Sequence, residues 1–137
     1  MDQDPPPPPS APPPPSYGPS GAGARPGVVT AAAVLLFIVG ALNAIGGLIL
    51  ITAASIGAFL VLIGILSLAI AAAEIYAGVQ VMALREQGRI IAIVLSAIGL
   101  FFQLLSIGRA PGSSIIGICI QGFIIWALVS NAQSFTP

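Results

Sequence analysis

Beyond Gly27 the chain is four long apolar runs separated by three short polar interruptions. Val28 to Ile51 and Ile56 to Met82 each exceed the ~20 residues a helix needs to cross a ~30 Å hydrocarbon core. Ile90 to Ile107 comes close to that length, and the last run, Ile115 to Val129, reaches it only when counted from Ser113 to Asn131. The runs are continuous, unlike the alternating ~10-residue strands of outer-membrane barrels. Helices also satisfy their own backbone in lipid. The pattern predicts transmembrane helices at 28–51, 56–82, 90–107 and 113–131. The first run starts too late and runs too long for a cleaved signal segment, whose apolar region spans about 7–15 residues behind a basic start. Ala53-Ala54-Ser55 reads instead as a tight turn between two helices.

The interruptions set the topology. Thr52 to Ser55 is uncharged, Leu84 to Arg89 carries Arg85 and Arg89, and Gly108 to Ser113 carries Arg109, while Arg25 precedes the first helix. With a cytoplasmic amino terminus three arginines lie inside and one outside, which favours both termini in the cytoplasm. Short connections make sequential helices antiparallel neighbours, so the expected fold is all-α: a four-helix transmembrane up-down-up-down bundle. Gly88 suits a helix end, Pro111-Gly112 a turn, and Ser113 or Ser114 a cap for the last helix.

Helices in lipid pack through small residues that allow close backbone approach, so the inward faces can be read from size and polarity. In the second helix Gly57, Gly64, Ala71 and Gly78 recur every seven residues, with Ser67 and Glu74 interleaved on the same stripe. Gly88, Ala92, Ser96, Gly99, Gln103 and Ser106 mark a face of the third, Gly40, Asn43 and Gly47 one of the first, and Gly117 and Gln121 one of the fourth. Each helix thus offers one strong polar group to the interior. At ~1.5 Å per residue the amides Asn43, Gln103 and Gln121 fall at one level in the outer half, with Glu74 one or two turns below. Together they form the candidate intramembrane polar cluster, with interhelical hydrogen bonds of ~0.6–2 kcal/mol each. Glu74 has two readings: a protonatable group on an ion or proton path, or an acid without that role, either neutral and hydrogen-bonded to a neighbouring helix or near the interface because its 27-residue run is longer than the membrane. Thirteen Ile, Leu, Val and Phe residues in its run, at ~0.3–0.6 kcal/mol each, outweigh one acid, so insertion by itself requires no special role for it.

Composition narrows the chemistry. The chain is 57% hydrophobic and 6% charged, against about 25% charged in soluble domains. Formal net charge is zero, so there is no basic stripe for nucleic acid. No His and a single Cys, Cys119, leave no zinc cage and no Cys-His or Ser-His pair, so neither a metal, nor a cofactor, nor a catalytic residue is expected, and the protein is not read as an enzyme. Arg85, Glu86 and Arg89 read as anchors of helix ends, Tyr76 and Trp126 as packing or interfacial residues, and Cys119 as an inert small hydrophobe. Asn131 to Pro137 is expected to fray.

Residues 1–27 form a tail with unbroken proline runs at Pro5–Pro9 and Pro12–Pro15. Proline lacks the N–H that helices and ladders need, so the tail is expected to be disordered, with polyproline II stretches. It reads as a solvated spacer, or as a ligand for an aromatic-lined groove on a cytoplasmic partner. No Arg or Lys flanks the prolines to set a docking direction.

A proline-rich tail, a first helix reading LLFIVGALNAIGGLIL, a hinge reading GVQVMALREQGRIIAIVLSAIGL and a closing IIWALVSN resemble the small four-helix membrane proteins of high-GC actinobacteria, which fall in uncharacterised domain families. The resemblance implies the fold, a bacterial plasma membrane and the orientation, and carries over no site residue. The sequence leaves two functional classes. One is a structural or accessory subunit that meets a larger membrane complex or itself and recruits a partner by its tail. The other is an oligomeric channel or transporter component using Glu74.

Overall fold

The structure is a computed structural model that describes residues 25–136; the proline runs of the tail lie outside them. Four helices follow in order: α1 (Gly27–Thr52), α2 (Ala58–Met82), α3 (Glu86–Ser106) and α4 (Pro111–Ser130), with one 3-10 turn after α1 (Ala53–Ile56) and another after α4 (Ala132–Ser134). At 1.5 Å per residue they are about 30 to 39 Å long. Each is long and apolar enough to cross a membrane, and the described residues hold no strand beyond one isolated bridge.

The most extensive pairing is α1 on α2, followed by α3 on α4 and α2 on α3, and a smaller α1–α4 contact closes the ring. Small residues set the α1–α2 register. A Cβ built on Gly47 would lie 2.8 Å from the carbonyl oxygen of Gly64, and one on Gly64 2.7 Å from that of Gly47, so the two backbones nearly touch. Further along, Gly40 lies against Ala71 and Glu74, and Gly78 against the ring of Phe37. Gly64, Ala71 and Gly78 are all buried. Gly57 departs from the expected stripe. It precedes α2 as its N-cap residue, and a Cβ there would meet nothing within 4 Å. A seven-residue recurrence persists past the point where the helix ends, and at Gly57 there is no longer a helical face to present.

The apolar core sits at one end of the bundle. Val29, Ala33 and Leu36 of α1 meet Val81 of α2, Ala92 of α3, Ile124 and Leu128 of α4, and Phe135 beyond it. Toward the other end Phe101, Phe102, Leu104 and Leu105 are exposed, and so is Ser106, expected on the inner face of α3.

The α2–α3 connection is a six-to-one helix stop, with Arg85 N donating to Gln80 O and Leu84 N to Val81 O, both at 3.0 Å. Its left-handed position, usually Gly, is Leu84 with φ 55°. That conformation costs a non-glycine residue about 1–2 kcal/mol, offset here by packing of the leucine against the core. α3 begins at Glu86, ahead of its apolar run, because Arg89 pairs with Glu86 one turn earlier through two hydrogen bonds. α4 likewise begins early. Pro111 occupies its first turn and Ala110 the N-cap position, so neither Ser113 nor Ser114 caps it, and the Ser113 hydroxyl donates back to Ala110 O.

Of the segment expected to fray, the described part, Asn131 to Thr136, is held in place. Thr136 N donates to Leu84 O and its carbonyl accepts from Glu86 N, both at 2.9 Å, forming the isolated bridge to Arg85. Phe135 is 7% exposed, with the Arg89 guanidinium 5.9 Å from its ring centre. The segment thus supplies an acceptor to an N–H at the start of α3 that has no partner within the helix.

Candidate functional site

Asn43, Glu74, Gln103 and Gln121 all border one cavity of about 240 Å³ between the four helices. Register explains how α1 and α2 contribute. Glu74 stands opposite Gly40, one turn from Asn43 along α1, and its side chain spans that turn so that Asn43 Nδ2 donates to Glu74 Oε2 at 2.8 Å. The level difference expected from depth is therefore closed by side-chain length. Glu74 is 4% exposed and Asn43 half-buried, so the bond is partly buried at the cavity's edge.

On the opposite wall α3 and α4 use a reciprocal device. The amide of Gln121 lies over Gly99 and that of Gln103 over Gly117, each so close that an added Cβ would fall 2.5 Å from a side-chain amide atom. Each glutamine fits a notch that a glycine leaves on the facing helix. The amides do not bond to one another or to Asn43. Among the described residues neither glutamine makes a side-chain hydrogen bond, although Gln121 is only 6% exposed. Both also border an adjoining cavity of about 250 Å³ between α1 and α4. The remaining wall is apolar, including Val39, Ile70, Leu95, Ile98 and Phe102.

Two buried hydroxyls, Ser96 Oγ and Ser114 Oγ, have no hydrogen-bond partner among the described residues. Gln80, not singled out by sequence, is 9% exposed and donates to the Tyr76 hydroxyl at 3.1 Å. The spacing of four residues within one helix was the available signal for that pair. Cys119 is exposed on α4, and no three Asp, Glu, Cys or His side chains cluster among the described residues.

Four membrane-length apolar helices around a cluster of polar side chains, with one tightly packed end, are the features of a small multi-pass membrane protein. The chain belongs to the DUF7144 family, a domain of unknown function, whose model matches residues 28–133. No curated protein and no solved structure matches it.

Proposed function

We propose that the protein is a non-catalytic accessory subunit of a bacterial plasma membrane, an up-down-up-down bundle that holds its proline-rich tail at the cytoplasmic face for a partner. The observation that carries this reading is the asymmetry of packing. The start of α1, the α2–α3 turn and the carboxyl end converge in the one closed apolar core, and the tail leaves from there. Arg25, Arg85 and Arg89 belong to the same end, where Arg25 reaches the Met82 sulfur at 3.4 Å, and Arg109 to the other. That distribution supports a cytoplasmic location for both termini. A closed core at the root of a proline-rich segment suits recruitment, since a ligand of that composition loses little entropy when it docks as polyproline II.

Crosslinking in native membranes tests it. A discrete adduct that is lost when residues 1–24 are deleted is the expected result, and an adduct pattern unchanged by that deletion overturns the recruitment role. Tagging each terminus for compartment-specific labelling tests the topology, which fails if the two ends report from opposite sides.

A second reading is favoured by the cavity at Glu74, since an intramembrane acid beside uncommitted amides suits an ion path through an oligomer. Liposome flux with the wild-type chain and with Glu74→Gln decides this reading. Absent flux, or flux unchanged by the substitution, removes it.

A further inference from the structure

The cavity between the four helices holds one acid, Glu74, and no basic side chain. The sequence has no Lys and no His, and its four Arg all lie at helix ends or in connections, so no cationic side chain can reach Glu74. Asn43 satisfies Oε2 only, leaving Oε1 without a side-chain donor among the described residues. Gln121 is 6% exposed as a residue, and its amide, which makes no side-chain hydrogen bond among the described residues, is accessible from the same cavity. Gln103 adds a second uncommitted amide.

We propose that this cavity binds a small primary alkylammonium ion, its NH3+ head on the Glu74 carboxylate and its chain against Leu95, Ile98 and Phe102. The chemistry is selective on three counts. An ammonium head has three donors. Glu74 Oε1 and the amide oxygens of Gln103 and Gln121, which rotate about their terminal torsions, supply three acceptors. One positive charge neutralises the single carboxylate, so the occupied site is neutral in a medium where an unpaired charge costs several kcal/mol. The volume of about 240 Å³ and the apolar far wall suit an organic cation with a short chain. A cavity of ~150 Å³ already takes a six-carbon ring, so a bare alkali ion would leave that wall unfilled. The assignment concerns binding and does not depend on whether the bundle conducts or recruits.

The test is calorimetric titration of the full-length chain in nanodiscs of zwitterionic lipid, with n-butylammonium as probe and empty nanodiscs as blank. Saturable binding near one ion per chain, with n-butanol and sodium chloride giving none, is the expected result. Glu74→Gln, which keeps a partner for Asn43, should weaken the ion about 30-fold or more, the lower end of what losing a buried charge partner costs. Gln121→Leu should weaken it by about tenfold. Equal heats from butanol, from sodium or from empty nanodiscs overturn the proposal, and so does unweakened binding by a folded Glu74→Gln chain. If that variant does not fold, the contrast of butylammonium with butanol and sodium on the wild-type chain decides alone.

Discussion

Gly46 and Gly47 are consecutive in α1, and replacing each with Ala should move stability in opposite directions. At Gly46 a Cβ meets nothing within 4 Å, so the change adds helix propensity alone, about 0.8–1 kcal/mol. At Gly47 the same gain is present, but the Cβ would lie 2.8 Å from Gly64 O, 3.1 Å from Leu68 Cγ and 3.2 Å from Ser67 Cβ. Leu68 can swing aside. The Gly64 carbonyl is fixed in α2 and cannot. Restoring ordinary contact requires the two backbones to part by about 0.6 Å, a gap that forfeits a quarter to a half of the dispersion energy of each neighbouring pair. Overpacking of this kind costs about 1–3 kcal/mol. Because propensity is common to both variants, their difference isolates the steric term. Gly47→Ala should therefore be about 1–3 kcal/mol less stable than Gly46→Ala, and only Gly46→Ala more stable than the wild type. Reversible unfolding in mixed micelles, followed by circular dichroism, measures both. Equal shifts of the same sign would mean that α1 and α2 do not approach through Gly47 and Gly64.

The other glycines extend the same logic. Gly57→Ala should change the unfolding free energy by less than about 0.5 kcal/mol, since its surroundings are open and its φ of 165° is extended backbone. Gly88→Ala should cost about 1–3 kcal/mol, because its Cβ would sit 2.8 Å from the backbone carbon of Gln80. Denaturant titration of the two variants side by side checks the contrast, and a larger loss at Gly57 contradicts the packing described. Phe135→Ala removes a 7% exposed ring from the core end and should cost about 3 kcal/mol, the low end for Phe at a chain terminus. Hydrogen exchange at the Glu86 and Thr136 amides should accelerate with it, and unchanged protection there would show the segment is held by its backbone bonds alone. For the Asn43–Glu74 bond, a double-mutant cycle between Asn43→Ala and Glu74→Ala should return a coupling of about 0.6–2 kcal/mol, and zero coupling would place the carboxyl elsewhere.

The helices and much of α1 against α2 were legible because in lipid the packing code is side-chain size. Gly40, Gly47, Gly64, Ala71 and Gly78 stand out by lacking bulk, and the structure brings them to the same seam. Three features escaped the same reading. Gly57 carries the recurrence but not the helix, since recurrence records spacing and not hydrogen bonding. The early starts of α3 and α4 escaped because their first turns are polar or contain Pro111, so an apolar run undercounts them. Phe135 and Thr136 escaped because their partners, Leu84, Glu86 and Arg89, are about fifty residues away, and backbone pairing of that kind leaves no local signature.

The polar groups were legible one by one, but their partners were not. A sequence gives the depth of Asn43, Gln103 and Gln121 along separate helices, and amides at one depth suggest mutual hydrogen bonds. Which atoms meet depends on rotation and register, and these are set by the glycines. On the α1–α2 side the backbones are so close that Glu74 reaches across to Asn43. On the α3–α4 side the glycines at 99 and 117 are filled by glutamine side chains, so the same small residues that join one helix pair become notches for amides in the other. That difference leaves α1 and α2 tightly sealed, and leaves two amides facing a cavity with hydrogen-bonding capacity unused. Packing of one pair and openness of the other therefore follow from one rule: a glycine admits either a backbone or a polar side chain, and the facing helix decides which.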